Sequence, residues 1–264
     1  MENPVVAGVL VALIVPFLGN TLGAALVFLM RHGMSERFTK ALLGFAAGVM
    51  IAASVWSLIT PALEAAEEGP VPAWAPAAVG FLGGMLMLLA IDHFTPHLHV
   101  GSDEPEGPVT TLKKPTMMLF ALAIHNLPEG MAVGVVLAGF LAGDPTITLA
   151  SVVALSLGIA IQNVPEGAVV SLPLTANDMS RPKAFLAGTL CGAVEPVGAV
   201  LMVAITGLVT PLLPYVLAFA AGAMMYVVTE ELIPQTQQGR HTNIGTIGVA
   251  FGFVLMMVLD VALG

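Results

Sequence analysis

Charge is what this sequence has least of. Of its 264 residues only 9% are Asp, Glu, Lys or Arg, while 57% are hydrophobic. Ordinary soluble domains carry about 25% charged residues, so a globule of this composition could not cover its surface with them. That shortage excludes a cytosolic enzyme, and eight Lys and Arg in all exclude a nucleic-acid binder. A single cysteine, Cys191, excludes an intrachain disulfide framework and a Cys-rich zinc site. A basic leader is missing too: only Met1, Glu2 and Asn3 precede the first apolar run. That run is too long for a signal-peptide core, so it reads as a membrane helix and not as a cleavable signal.

What the chain does have is long apolar stretches. Eight can be marked, near Pro4–Met30, Thr39–Leu63, Ala75–Ile91, Pro115–Leu141, Thr146–Leu174, Ala184–Thr210, Pro211–Leu232 and Asn243–Leu263. A spanning helix needs about 20 apolar residues, and each run comes close to or exceeds that. Closed barrels would show alternating strands of about 10 residues, and nothing here alternates. The expected fold is therefore an all-α membrane protein, a bundle of eight transmembrane helices forming one domain over residues 1–264.

All eight basic residues fall between runs one and two (Arg31, Arg37, Lys40), three and four (Lys113, Lys114), five and six (Arg181, Lys183) or seven and eight (Arg240). The remaining loops hold Glu67, Glu68 and Asp144 instead. The positive-inside rule then makes the basic loops cytoplasmic. The expectation is a multi-pass protein of the cell (inner) membrane with both termini outside. Its longest loop, 96–114, is rich in Gly, Pro and acids and is expected to be flexible. His97, His99, Asp103, Glu104 and Glu106 within it have the makings of a weak divalent-metal site, or of a solvated linker.

Two internal echoes stand out. F-A-A-G-V-M at 45–50 returns as F-A-A-G-A-M at 219–224, and I-H-N-L-P-E-G at 124–130 returns as I-Q-N-V-P-E-G at 161–167. In each case the two copies lie on helices that run in opposite directions. Inverted repeats, helices 1–3 against 6–8 around helices 4 and 5, are the expected plan, a pattern found in secondary transporters. Small-residue motifs recur in any bundle, which would explain F-A-A-G but not a repeated N-x-P-E-G.

The second echo carries the chemistry. His125, Asn126 and Glu129 lie within one helical turn, spaced to share a face. Pro128 among them withholds a hydrogen bond from the carbonyl of Ile124. Gln162, Asn163 and Glu166 repeat the plan around Pro165, and Glu195 adds a third carboxylate beside Pro196. No Lys or Arg is expected within reach to neutralise them, so either they are protonated or a cation lies between them. Mixed imidazole and oxygen donors suit Zn²⁺ and its relatives Fe²⁺, Mn²⁺ and Cd²⁺ better than Ca²⁺ or Mg²⁺.

With these residues in view, the sequence resembles the ZIP (ZRT/IRT-like) transporters. H-N-L-P-E-G-M-A-V-G at 125–134 and Q-N-V-P-E-G-A-V-V-S at 162–171 are similar to the paired metal-binding helices of that family. G-F-A-A-G-V-M at 44–50, E-P-V-G-A at 195–199 and E-L-I-P at 231–234 agree, and Gln162 points to the GufA-type prokaryotic branch. The resemblance implies transport of divalent metal, chiefly zinc, toward the cytoplasm through an intramembrane two-metal site. It implies that Glu129 and Glu166 bridge the metals, with His125, Gln162 and the thioether of Met50 on one, and Asn126, Asn163 and Glu195 on the other. Asn163 stands where some relatives have Asp, which weakens the charge holding a second dication. Glu230 replaces a histidine common in the family, so Glu230 and Glu231 are expected on the exit path rather than in the main site. Asp92 and His93, with His97 and His99, would serve release. A homodimer is also in keeping with the family. The competing class, an intramembrane metalloprotease, would place H-E-x-x-H on one helix, and that string is absent.

Overall fold

The computed structural model of the protein describes residues 4–30, 34–98, 105–112, 114–176, 179–204, 212–240 and 242–263. Among them are eight helices long and apolar enough to cross a membrane. These are α1 (Val5–Leu29), α2 (Glu36–Ala65), α3 (Trp74–Phe94), α4 (Leu119–Ala142), α5 (Leu149–Thr175), α6 (Arg181–Ala204), α7 (Leu213–Gln237) and α8 (Ile244–Leu263). Each corresponds to one expected apolar run. The one β-type pairing among the described residues is an isolated bridge between His97 and Glu106 in the α3–α4 loop.

The helices divide into an inner and an outer set. In α2, α4, α5 and α7 about seven residues in ten of the apolar stretch are buried, against 22–39% in α1, α3, α6 and α8. The outer helices turn their long side chains outward, such as Leu82, Leu86, Phe251 and Val258, as a lipid-facing surface requires. The polar residues of α4 and α5 therefore sit on the most enclosed helices of the bundle.

Four helix pairs pack along glycine seams: α1 with α5, α2 with α8, α3 with α7, and α4 with α6. A methyl group added at Gly19, Gly48, Gly84 or Gly130 would run into a main-chain carbonyl of the partner helix, at Ala160, Val249, Phe219 or Glu195 respectively. Lipid supplies no hydrophobic drive for helices to associate, so close backbone approach at small residues does that work.

Two inner helices change their winding halfway along. In α2 the segment Ser54–Ile59 is π-helical, and the backbone N–H of Thr60 donates to the carbonyl of Val55, five residues back. In α7 the segment Val228–Leu232 does the same, with Ile233 N–H donating to Val228. Each begins four residues after the methionine of its F-A-A-G-x-M motif. The bulge also explains why α7 runs on to Gln237 when its apolar run ends at Leu232. Pro234 lacks an N–H, but the i→i−4 ladder has already been broken ahead of it.

One expectation needs correcting. A basic residue does lie in a membrane helix: Lys40, in the first turns of α2, is only 3% exposed. Helix α2 starts at Glu36, capped by the Ser35 hydroxyl, which accepts from the N–H of Phe38 at 3.3 Å. Lys40, at the start of the apolar run, thus lies one turn inside the helix and within the bundle. Its ammonium binds Glu36 Oε1 at 2.8 Å and the carbonyl of Arg240 at 2.9 Å. The charge is thus committed at the helix end, where it ties the start of α2 to the end of α7.

Candidate metal site within the membrane

Glycine decides what can approach the two repeated motifs. The glycine of N-L-P-E-G, Gly130, lies against the main chain of Glu195 on α6, and the glycine of N-V-P-E-G, Gly167, lies against the main chain of Asn20 on α1. Any side chain at either position would push the facing helix away. The motif therefore has two functions: its polar residues offer donors, and its glycine admits a third helix to them.

The result is one hydrogen-bonded chain across four helices. Gln162 Nε2 donates to Glu129 Oε1 at 2.5 Å and to Asn163 Oδ1 at 2.6 Å. Asn163 Nδ2 in turn donates to Glu195 Oε2 at 2.7 Å and to the carbonyl of Pro16 at 3.2 Å. All four side chains are at most 2% exposed. Three oxygens of this chain, Glu129 Oε2, Gln162 Oε1 and Glu195 Oε1, are buried with no donor. Unpaired buried acceptors are costly, and a set of them suits a cation. The carboxylates of Glu129, Glu195 and Glu231 are all near enough to Glu166 to interact with it electrostatically.

Beside the chain lies a small cavity of about 30 Å³, room for one or two water-sized bodies. Asn20, His125, Asn126, Glu166, Cys191 and Glu231 are among its walls. The structure thus brings together His125, Asn126, Glu129, Gln162, Asn163, Glu166 and Glu195. Met50 is completely buried, but in the apolar core with Met131, Val169 and Met224 rather than on the cavity wall.

The residues expected on a transport path separate. Glu231 is 4% exposed and pairs with Nε2 of His125, whereas its neighbour Glu230 is exposed. Neighbouring residues on a helix point about 100° apart, and within the π-bulge of α7 Glu231 takes the inward direction and Glu230 the outward one. At the far end of α3, His93 is exposed and Asp92 is partly buried. His97 folds back on Asp92, Nε2 to Oδ1 at 2.9 Å, and its Nδ1 lies 2.7 Å from the carbonyl of Thr95. Backbone bonds in both directions between His97 and Glu106 bring a second carboxylate in, so that Asp92, His97 and Glu106 each offer an atom within 4.8 Å of the others. His99 lies outside the described residues.

Sequence reasoning missed several residues. Asn20 and Gln235 also line the cavity, and Asp260 on α8 accepts a 2.6 Å hydrogen bond from Ser57 in the α2 bulge, with its other oxygen buried and unpaired. Asn20 and Asp260 had a signal: each is the one amide or acid in a helix that is otherwise apolar but for a threonine. Gln235, beyond Pro234 and outside the apolar run, had none.

Comparison with known proteins identifies the family. A family profile described as "ZIP Zinc transporter" matches residues 114–260. The chain is 41% identical over 94% of its length to the zinc transporter ZIPB of Bordetella bronchiseptica, covering 79% of that protein. It is 37% identical to the zinc transporter ZIP11 of Xenopus tropicalis, over 92% of this chain and 93% of that one. To the zinc transporter GufA of Myxococcus xanthus it is 39% identical, over 79% and 81%. These relatives are named as transporters and not as enzymes, and the protease reading gains no support. The chain belongs to the ZIP zinc transporter family and is of the GufA type.

Proposed function

We propose that this protein moves Zn²⁺ across the cell membrane toward the cytoplasm, through a two-metal site built on α4, α5 and α6. The observation that carries the proposal is the junction of Glu129, Gln162, Asn163 and Glu195, with three buried oxygens lacking donors, beside a cavity walled by His125, Asn126 and Glu166. Glu129 and Glu166 bridge the ions. His125 and Gln162 complete one site, which Met50 approaches when the site is loaded. Asn126, Asn163 and Glu195 complete the other, held more weakly because two of the three are neutral. Fe²⁺, Mn²⁺ and Cd²⁺ share the preference for imidazole and oxygen ligands and are competing cargo.

Glu231, Glu230, Asp92, His93, His97 and His99 serve the cytoplasmic side of the path, the side of the basic loops, with both termini outside. Release is stepwise in this scheme: Glu231 already touches His125, so it is the first group to share an ion leaving the site. The test is metal flux into liposomes holding only the purified protein, with a peptide-hydrolysis assay alongside. Zinc accumulation without hydrolysis is the expected result. A protein that binds no zinc, or that cleaves peptides in a zinc-dependent way, would overturn the assignment. Orientation is tested by cysteine labelling at Glu2 and Ser102, two positions outside the described residues, in a Cys191→Ser background. An impermeant reagent should reach the first from outside and not the second.

A further inference from the structure

The feature left over by this scheme is Asn20. It is a 2% exposed polar residue in the middle of α1, within a run, Pro4–Met30, that contains no charged residue. Its amide nitrogen donates to the carbonyl of Gly188 on α6 at 3.2 Å. Gly192, one turn on, leaves the space that this amide occupies, since a methyl group there would collide with Asn20 Nδ2. A carbonyl can only accept, so this bond fixes which end of the amide is which. The oxygen, Oδ1, is turned the other way. It lies beside Gly167, next in the chain to Glu166, and is close enough that a methyl group on Gly167 would meet it at 2.6 Å. No donor reaches Oδ1 among the described residues, and Asn20 lines the cavity that holds His125, Asn126 and Glu166.

Asn20 is also placed as Glu195 is. Glu195 on α6 meets the glycine of the first N-x-P-E-G motif through its main chain, and Asn20 on α1 meets the glycine of the second in the same way. Each stands three residues before a glycine of its own helix, Gly198 and Gly23. The two motif helices are thus each met by one polar residue from an outer helix, an acid in one case and an amide in the other.

We propose that Asn20 is a further metal ligand, its side-chain oxygen supplying a neutral donor from α1 to an ion held by His125 and Glu166. This rests on the metal site proposed above. A carbonyl-type oxygen without a hydrogen-bond donor, pointing into a cavity with an imidazole and a carboxylate, completes a mixed nitrogen and oxygen set of the kind Zn²⁺ accepts. Being neutral, it adds a ligand without adding charge, which favours an ion that must also leave.

The test separates ligand from structural glue, because aspartate keeps the oxygen and loses the amide donor. Zinc uptake into proteoliposomes and equilibrium zinc binding are measured for the wild type, Asn20→Ala, Asn20→Asp and Asn20→Cys, with Glu129→Gln as a control. If Asn20 is a ligand, Asn20→Ala raises the apparent KM for zinc about 10-fold, the lower end of losses known around metal sites. Asn20→Asp lowers it, and Asn20→Cys shifts preference from Zn²⁺ toward Cd²⁺. Equal defects in the alanine and aspartate variants, with no change of metal preference in the cysteine variant, would show that only the bond to Gly188 matters and overturn the proposal. Should Asn20→Ala not fold, the aspartate and cysteine variants decide alone. Wild-type uptake lost in Glu129→Gln but insensitive to every Asn20 variant sinks this inference and spares the site. Uptake insensitive to Glu129→Gln sinks the site itself.

Discussion

Gln162 reaches Glu129 across the α4–α5 interface with its amide nitrogen, at 2.5 Å, while its amide oxygen is buried without a partner. An NH₂ group cannot bind a cation. The free oxygen is the atom that can take an ion, and the bond from Nε2 to Glu129 holds the metal-free site together. Gln162 is in this sense a latch between the empty and the filled site.

Replacing the latch by a carboxylate should make stability depend on zinc. Gln162→Glu removes the donor and sets a second acid against Glu129, so the metal-free protein should melt at a lower temperature than the wild type. Zinc should then raise its melting temperature by more than it raises that of the wild type. A ligand at 100 times its Kd adds about 2.7 kcal/mol, enough to resolve in a thermal scan in detergent. Equal zinc-induced shifts in both proteins would refute the role given to Gln162.

Removal of the bridging acids should be harsher than removal of Glu195. Glu129→Ala and Glu166→Ala are expected to reduce zinc uptake to background. Glu195→Ala should leave measurable transport, because among the described residues Glu195 joins the chain only through Asn163 and in the proposed scheme it holds one metal. Radiometal uptake in proteoliposomes checks this, and normal flux in the Glu129 variant would end the assignment.

The bulge in α7 offers an independent handle. Thr229 is exposed on the outer surface of the bulge, so deleting it and inserting one alanine after Leu232 keeps the core and the downstream register. Residues 230–232 then rotate by about one α-helical step, roughly 100°, carrying Glu231 off His125. Uptake should fall about as far as in Glu231→Gln, and the two changes combined should cost no more than either alone. Multiplied losses would mean that the bulge does not position Glu231.

At the α2–α8 seam, Gly48→Leu should destabilise the fold without touching any polar residue. The new side chain meets the carbonyl of Val249, and overpacking of this kind costs about 1–3 kcal/mol. The same change at Gly143 is the control for packing, as a methyl group there meets nothing within 4 Å, although its φ of +79° brings a backbone cost of its own. A smaller drop in melting temperature at position 48 than at 143 would contradict the seam.

The eight helices were legible because hydrophobic length is the constraint lipid imposes on a helix, and the paired N-x-P-E-G motifs were legible because intramembrane acids are rare. What escaped depended on winding and on partners. Neither π-bulge changes residue spacing in the sequence, so Glu230 and Glu231 looked equivalent until one turned inward and the other out. Asn20 was passed over because a lone amide in an apolar helix usually serves as glue between helices. Lys40 was taken for a loop residue although it is the second residue of its apolar run, because a charge at the edge of such a run is ordinarily left in water. His97 finds Asp92 and Glu106 only because the loop doubles back, which no local pattern announces.

The Lys40 contact has a consequence for solution conditions. Mobile ions weaken charge pairs that water can reach, but Lys40 is almost wholly withdrawn from water, and one of its two partners is a main-chain carbonyl. The corner joining the start of α2 to the end of α7 should thus behave less like a surface ion pair than like a buttoned seam. Salt from dilute buffer to the molar range should loosen only the arm to Glu36, whose side chain is 64% exposed, and leave the arm to the Arg240 carbonyl in place, whereas urea competes for that carbonyl directly.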